Sequence, residues 1–246
     1  ILRWILIPFY KISFGHKNQK VIFQNKDDRN VLLNWGVVKN DKVELIRGSG
    51  VDLDVFLYKQ EDDKNIIVAF AARLLIDKGV NVFIDAARIL KRKGMGVEFW
   101  LIGDIDSGSS NSVSESQLEH LKKEGLVVVL GHRADMPDLF TRINIFAYPS
   151  FYGEGLPKVL LEASASGRAI VTTDHPGCRD AINPDETGVL VPVKNSIALA
   201  AAIEELVQNP KKRHMLGKSG RLLAEREFSD KKIAQELGAK IYEQAA

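Results

Sequence analysis

Short apolar runs alternate with longer stretches of helical periodicity along most of the chain. The runs are rich in Val, Ile, Leu and Phe and are bounded by glycine, proline or polar clusters, which is the pattern of buried strands. The predicted strands are 21–24, 43–46, 66–72, 97–102, 127–130, 143–148, 169–172 and 188–191.

Between these runs, apolar residues recur three or four positions apart, as on one face of a helix. Asp27 and Asp28 are placed to cap the second of these helices, and Gly36 to end it. The predicted helices are 1–14, 27–35, 81–92, 114–124, 136–141, 157–166, 196–208 and 230–245. Strands that alternate with helices predict an α/β fold with a doubly wound, mostly parallel, Rossmann-like sheet.

A sheet of this kind binds its ligands beyond the carboxyl ends of its strands. The loops that follow residues 72, 102, 130, 148 and 172 are therefore expected to line one crevice. Gly103, Gly131 and Gly155 fall in these loops, where a ligand can approach the backbone closely.

The overall charge and the cysteine and histidine content narrow the possible ligands of the protein and the compartment that it suits. Lys and Arg number 34 against 32 Asp and Glu, so the net charge of +2 gives no sign of nucleic-acid binding. The single cysteine, Cys178, excludes an internal disulfide and fits a reducing compartment such as the cytoplasm. We expect it to be a packing residue rather than a nucleophile. The five histidines lack the spacing of a zinc site.

The opening stretch, ILRWILIPFYKISF at 1–14, is apolar but too short to span a membrane. We interpret it as a helix that belongs to a neighbouring domain. The alternative is a helix that lies in a membrane interface, which its aromatic and basic residues would suit.

Two cations follow the first long buried strand. Arg73 closes this strand, and Lys78 is expected to open the next helix, so both could contact one anion. The arginine fork and the lysine point charge together suit a pyrophosphate. The alternative is a pair of solvated charges at the end of a loop.

A second group of candidates surrounds the start of the predicted helix 157–166. Pro157 suits its first turn, and the free amides of Leu156, Lys158 and Val159 would face the crevice as a neutral cradle for phosphate. Glu154 and Glu162, eight positions apart, could each accept hydrogen bonds from a pair of vicinal hydroxyls.

Alternatives remain for two of the candidates. Glu162 would otherwise be an exposed helix residue, although its apolar neighbours predict a buried helix. The loop at Gly131 and His132 could border a base, but a packed or exposed loop histidine is the simpler interpretation.

Taken together, these residues resemble glycosyltransferase family 4, a group of retaining enzymes with the two-domain GT-B architecture. The most specific match is EGLPKVLLEA at 154–163, which has the family's two glutamates separated by seven residues. Further matches occur in the expected order: Gly-Val-Asp at 50–52, Ala-Arg at 72–73 with Lys78-Gly79, Leu-Ile-Gly at 101–103, and Thr-Gly-Val-Leu-Val at 187–191.

The resemblance implies a role for each candidate. Arg73 and Lys78 would hold the pyrophosphate of a nucleotide-sugar donor, Glu154 would contact the sugar near its reacting carbon, and Glu162 would bind the ribose hydroxyls. The implied catalytic residues are Glu154, Arg73 and Lys78, and the implied donor-binding residues are Gly103, Gly131, His132, Gly155, Leu156, Lys158, Val159 and Glu162.

The resemblance also implies the organisation of the chain. Residues 1–60 would be the remnant of an acceptor domain and a linker, 61–229 the donor-binding domain, and 230–246 a helix that braces the first domain. The implied reaction is transfer of a hexose, from a UDP-sugar in particular, to a glycan or polyprenyl-linked acceptor in bacterial polysaccharide synthesis. The chain alone is expected to bind nucleotide and to turn over poorly or not at all.

No cofactor or metal is expected, since such enzymes typically use basic groups and amides in place of a cation. Asp104-Ile105-Asp106 has the letters of a manganese motif, but we interpret it as loop polarity.

The full enzyme is expected in the cytoplasm, with peripheral association with the inner face of the membrane also open. Alternatives are another GT-B enzyme such as an epimerase, or a non-catalytic nucleotide-sugar-binding module. A dehydrogenase is disfavoured because no Gly-x-Gly-x-x-Gly follows the strand 66–72.

Overall fold

The computed structural model describes residues 2–241, and its centre is a six-stranded, all-parallel sheet. The sheet has the order β5-β4-β3-β6-β7-β8, so the strand order reverses direction between β3 and β6. Its strands are β3 (Ile66–Ala71), β4 (Val97–Ile102), β5 (Val128–Gly131), β6 (Ile145–Tyr148), β7 (Ala169–Thr173) and β8 (Gly188–Val191). The prediction of a doubly wound parallel sheet is confirmed.

The central strands are buried on both faces, as their unbroken apolar sequences predicted. All four residues of β6 and all five of β7 are buried. The parallel pairing of β3 with β4 extends over six residues, from Ile66 opposite Val97 to Ala71 opposite Ile102. The strands β3 and β4 therefore end side by side, and their following loops meet at one edge of the sheet.

Helices connect and flank the strands of the structure. They are α1 (Leu2–Ser13), α2 (Lys26–Asn34), α3 (Val80–Arg92), α4 (Glu115–Glu124), α5 (Met136–Phe140), α6 (Lys158–Ala165), α7 (Ser196–Gln208), α8 (Pro210–Leu223) and α9 (Asp230–Ile241). Helix α3 packs against α7, and α6 against α8. Residues 1 and 242–246, which we placed in the first and last predicted helices, lie outside the described residues.

Several predicted boundaries were wrong in detail. Asn25, not Asp27 or Asp28, caps α2, because its side chain accepts a hydrogen bond from the amide of Asp28 at 2.7 Å. Lys78 ends a short 3-10 turn before α3 rather than opening the helix. Pro157 precedes α6 as its cap residue.

Helix α8 was missed from the sequence. Its start carries a clear signal, since Asn209 caps the helix and Pro210 occupies its first position. Gly217 and Gly220 weaken the helical pattern within it. A side chain at 217 would collide with the carbonyl group of Gly167, so glycine lets α8 pack closely against the sheet.

The segment before residue 60 forms a separate two-stranded parallel sheet of β1 (Val21–Phe23) and β2 (Val43–Leu45). The polar segment 60–65, at the predicted start of the donor-binding domain, is anchored to α8. Glu61 accepts a hydrogen bond from the buried Arg213 of α8 at 2.9 Å, and Asp63 also pairs with Arg213. The proposed division into three parts stays a prediction. In the part of the chain described, no helix is long and apolar enough to cross a membrane.

Candidate functional site

A crevice of about 610 Å³ lies at the carboxyl ends of β3, β4 and β5. The loops after these three strands line it, as predicted. Helix α6 adds Val159 and Glu162 to the lining, next to the point where the strand order reverses. Of the residues predicted to bind the donor or act on it, the crevice brings together Arg73, Gly103, His132, Val159 and Glu162. The loops after β6 and β7 were also expected to line the crevice, but neither contributes a residue to its lining. The loop after β7 packs against Gly155 instead.

Backbone contacts hold the β3, β4 and β5 loops together. The amide of Gly103 donates to the carbonyl of Gly131 at 2.8 Å, and the amide of His132 donates to the carboxylate of Asp104 at 2.9 Å. Gly103 has φ +131°, and a side chain there would collide with the carbonyl oxygen of Ala72. Gly103 and Gly131 therefore shape the crevice, and the His132 side chain is exposed on its rim.

Arg73 lies in the crevice with a side chain that is 59% exposed. Its guanidinium pairs with Asp106 at 2.8 Å, on the loop after β4. Asp104 and Asp106 both line the crevice, but each already has a partner, the His132 amide for one and Arg73 for the other. The interpretation of the Asp-Ile-Asp triplet as loop polarity, rather than a metal site, stays a prediction.

Lys78 does not join Arg73 in the crevice lining. Its side chain is only 9% exposed, and its ammonium group pairs with Glu154 at 2.6 Å and lies 4.4 Å from the ring centre of Tyr152. Arg73 and Lys78 therefore do not lie side by side in the crevice lining, and the expectation that both contact one anion stays a prediction. Because the chain turns through a 3-10 helix at 76–78, Lys78 points towards the loop after β6 rather than along the end of β3.

Tyr148 is a site residue that the sequence did not reveal. Its buried hydroxyl donates to the same Glu154 oxygen, Oε1, at 2.9 Å. Burial raises the pKa of the Tyr148 hydroxyl well above its ordinary value, and the negative charge of Glu154 raises it further. Two donors thus fix one oxygen of the Glu154 carboxylate, while Oε2 accepts no hydrogen bond from the described residues.

The amides before α6 are only partly free. The amide of Leu156 donates to Gln24 Oε1 at 3.0 Å, so the prediction of a free Leu156 amide was wrong. Among residues 2–241, the amides of Lys158 and Val159 have no acceptor. They lie in the first turn of α6, at the positive end of its dipole. Gly155 lies next to this turn but outside the crevice lining.

Glu162 lies in the crevice, partly buried on α6. No hydrogen bond or ion pair reaches its carboxylate from the described part of the chain. Burial raises its pKa, and the charge of Lys158, one turn earlier, offsets only part of this effect. A partly buried carboxylate without a partner is costly, so Glu162 remains a candidate acceptor for the hydroxyl groups of a ligand.

Cys178 lies behind the α6 loop and is fully buried. Burial raises the pKa of its thiol to about 11, so at neutral pH it is protonated. This environment agrees with the expected packing role.

Comparison with known proteins identifies the family. The model of the glycosyl transferases group 1 family matches residues 58–223. The chain belongs to this family. The match begins at the end of the N-terminal segment and contains every predicted site residue.

Curated relatives include an N,N'-diacetylbacillosaminyl-diphospho-undecaprenol alpha-1,3-N-acetylgalactosaminyltransferase of Campylobacter jejuni, 34% identical over 89% of this chain and 59% of that protein. A capsular polysaccharide biosynthesis glycosyltransferase, CapM of Staphylococcus aureus, is 29% identical over 89% of this chain and 57% of its own length. The chain thus spans somewhat over half the length of these relatives.

Solved structures agree on the fold. Anabaena HepE in complex with UDP superposes with a TM-score of 0.83 at 22% identity, over 96% of this chain and 67% of that one. The predicted resemblance is confirmed at the level of the group 1 family and the GT-B fold. The roles of the individual site residues stay predictions.

Proposed function

We propose that this chain is the donor-binding part of a family 4 glycosyltransferase that transfers a hexose with retention from a UDP-sugar. The observation that carries the proposal is Glu162. Its carboxylate lies partly buried and has no partner among residues 2–241, in a crevice that also holds Arg73 and borders the amides at the start of α6. Such a site offers an acceptor for hydroxyls beside donors for phosphate.

The nucleotide end of the donor fits this crevice. Glu162 accepts the two ribose hydroxyls, and the base lies along the backbone of Gly131 and His132 on the rim. The pyrophosphate meets Arg73 on one side and the amides of Lys158 and Val159 on the other. These amides add the positive end of the α6 dipole to the arginine charge.

The sugar end meets the group of Lys78, Tyr148 and Glu154. With Oε1 fixed by Lys78 and Tyr148, Oε2 of Glu154 is directed to accept a sugar hydroxyl. The bond between the anomeric carbon and the β-phosphate oxygen breaks, and the acceptor oxygen bonds to the same face of that carbon. The acceptor proton passes to the departing phosphate. Lys78 and Arg73 stabilise the negative charge that develops on this phosphate.

We propose that the reaction needs no metal ion, because Arg73 and the amides supply the positive charge and Asp104 and Asp106 already have other partners. Nucleotide binding that is unchanged by EDTA would support this. A rise in affinity of tenfold or more on adding Mn²⁺ would contradict it.

The acceptor and the location are inferred from relatives. The names of the Campylobacter and Staphylococcus proteins point to an undecaprenol-linked sugar and a capsular polysaccharide. We propose a glycan or polyprenyl-linked acceptor at the cytoplasmic face of a bacterial membrane. Helix α1 is compatible with such a surface, since it exposes Trp4, Phe9 and Ile12. Within residues 1–26 there is no acidic residue, whereas Arg3, Lys11, Lys17, Lys20 and Lys26 are basic.

The rival function is a non-catalytic module that binds nucleotide sugars. The fixed carboxylate of Glu154 favours an enzyme, because nucleotide binding alone does not require an acceptor oriented by Lys78 and Tyr148. An epimerase would share this donor site and differ only in its product.

The test is calorimetric titration of the chain with UDP, ADP and GDP, repeated on Arg73→Ala and Glu162→Ala. We expect saturable binding of UDP that weakens at least tenfold in each variant. Lys211→Ala, an exposed residue at the start of α8 and far from the crevice, is the matched control. A folded chain that binds none of the three nucleotides would contradict the proposed site.

A further inference from the structure

Gln24 connects the N-terminal segment to the loop that carries Glu154. It follows β1, outside the six-stranded sheet, and its side-chain oxygen accepts the amide hydrogen of Leu156 at 3.0 Å. The two residues are 132 positions apart in the chain. This hydrogen bond is therefore a tertiary contact between the two sheets.

The backbone at Gly155 is in close contact with Gln24 and with the loop after β7. A side chain at 155 would collide with the amide group of Gln24. From the other side, Gly177, with φ +82°, places its α-carbon against the carbonyl of Gly155, where any side chain would collide with that carbonyl. The Gly155 backbone is thus held between Gln24 and the loop after β7.

Further contacts of the same segment support this arrangement. Gly48, after β2, packs against the side chains of Leu156 and Leu161. Arg47 donates to the carbonyl of Asp180 in the loop after β7 and lies 4.9 Å from the ring centre of Phe228. The N-terminal segment therefore contacts both the loop that contains Gly155 and the loop after β7.

These contacts have a consequence for the donor site. Glu154 is the neighbour of Gly155, and its own side chain is fixed at one oxygen by Lys78 and Tyr148. The backbone on its carboxyl side is fixed by Gln24. Loss of the Gln24 acceptor would leave the Leu156 amide unsatisfied and would let the backbone at Glu154 move. Arg73, His132 and Glu162 lie in the crevice, away from this contact.

We propose that Gln24 is a positioning residue for the sugar end of the donor site. It acts through the Leu156 amide to hold Glu154 in place and does not itself touch the nucleotide. The proposal rests on the proposed function and adds to it that a residue outside the donor-binding sheet sets the affinity for the transferred sugar.

The decisive comparison is between Gln24→Met, which keeps the length of the side chain but lacks the acceptor, and Gln24→Glu, which keeps an acceptor for the amide. Gln208→Met, an exposed change at the end of α7, is the matched control. UDP, UDP-glucose and UDP-N-acetylgalactosamine are titrated into each variant. Thermal unfolding of each variant verifies that it is folded.

We expect the affinity for UDP to be unchanged in Gln24→Met, while the affinity for the sugar nucleotide that wild type prefers falls roughly five- to tenfold, the loss typical of one hydrogen bond. Gln24→Glu should recover most of it. Equal losses for UDP and for the UDP-sugar would indicate a general structural role and overturn the proposal. Tighter binding of the UDP-sugar would show that Gln24 competes with the donor, which overturns it as well.

Amide hydrogen exchange separates this proposal from the function on which it rests. Without any nucleotide, the Leu156 amide should exchange at least tenfold faster in Gln24→Met than in wild type, and at the wild-type rate in Gln208→Met. Unchanged exchange would refute the positioning contact even if UDP binds. Faster exchange in a chain that binds no UDP would leave the contact established and refute the donor site.

Discussion

Replacing Glu162 with glutamine should stabilise the free protein and weaken its binding of nucleotide. Glu162 is a partly buried carboxylate with no partner within residues 2–241, so its charge opposes folding. Glutamine is also polar and would also lack a partner, so the gain comes only from removal of the buried charge, and partial exposure keeps this gain small. We therefore expect Glu162→Gln to gain about 1 kcal/mol at neutral pH, which raises Tm by about 2–4 °C in a chain of this size.

The pH dependence follows from the direction of the pKa shift. Burial raises the pKa of Glu162 in the folded protein above its value in the unfolded chain. Below the unfolded value the carboxyl is protonated in both states and contributes no penalty. The penalty develops as the pH rises from the unfolded pKa to the folded pKa, and it is complete above the folded pKa. The advantage of Glu162→Gln should therefore be larger at pH 7.5 than at about pH 4.

Binding should change in the opposite direction. A hydrogen bond to a charged acceptor contributes about 1.5–3 kcal/mol, and glutamine keeps one of the two acceptor oxygens, so UDP affinity should fall about tenfold. At a UDP concentration one hundred times the wild-type Kd, stabilisation by ligand would drop from about 2.7 to about 1.4 kcal/mol.

Thermal unfolding of both proteins, with and without UDP and at both pH values, checks all three expectations. Glu186→Gln, an exposed residue outside the crevice, serves as the control for removal of a negative charge. The reasoning is refuted if Glu162→Gln is no more stable than wild type at pH 7.5, because the carboxylate would then have a partner or be well solvated. Unchanged UDP affinity would refute its role as an acceptor.

Two further predictions concern buried side chains. Tyr148→Phe removes one of the two donors to Glu154 but leaves the ring in place. It should lower the unfolding free energy by about 1 kcal/mol and weaken UDP-sugar binding more than UDP binding. Tyr58→Phe, outside the crevice, is the control, and an equal loss of affinity for both ligands would contradict the assignment. Cys178, with a pKa of about 11, should resist iodoacetamide at pH 8 in the folded protein and react readily in urea; rapid alkylation of the folded chain would show that the thiol is accessible.

The sheet and the crevice were predictable from the sequence because they depend on local patterns. Each buried strand appears as an unbroken apolar run, and the rule that ligands bind beyond the carboxyl ends of such strands placed Arg73, Gly103 and His132 correctly. Glu162 was placed by the same logic, since the small and apolar residues around it predicted a buried helix.

The pairing of the charges was not predictable, because it depends on contacts between distant parts of the chain. Lys78 and Glu154 are 76 positions apart, and the geometry of the short turn before α3 decides which way Lys78 points. Tyr148 resembled any other core residue of a buried strand. Gln24 could not be connected with Leu156, because no periodic pattern relates the two sheets.

The two ion pairs of the site, Arg73 with Asp106 and Lys78 with Glu154, differ in how readily a ligand could separate them. The side chains of Arg73 and Asp106 are 59% and 28% exposed. Ion pairs at the surface contribute only about 0–1 kcal/mol, so an incoming pyrophosphate could take Arg73 from Asp106 at little cost. Lys78 and Glu154 are 9% and 23% exposed, and separating them would leave a charge without a partner in a largely buried position. Under the proposed function, the first contact with phosphate would therefore fall to Arg73 and the α6 amides, while Lys78 would stay with Glu154 and act on the phosphate through its field. We propose that this difference lets one site keep a sugar-side carboxylate oriented while its phosphate-side cation binds and releases the donor.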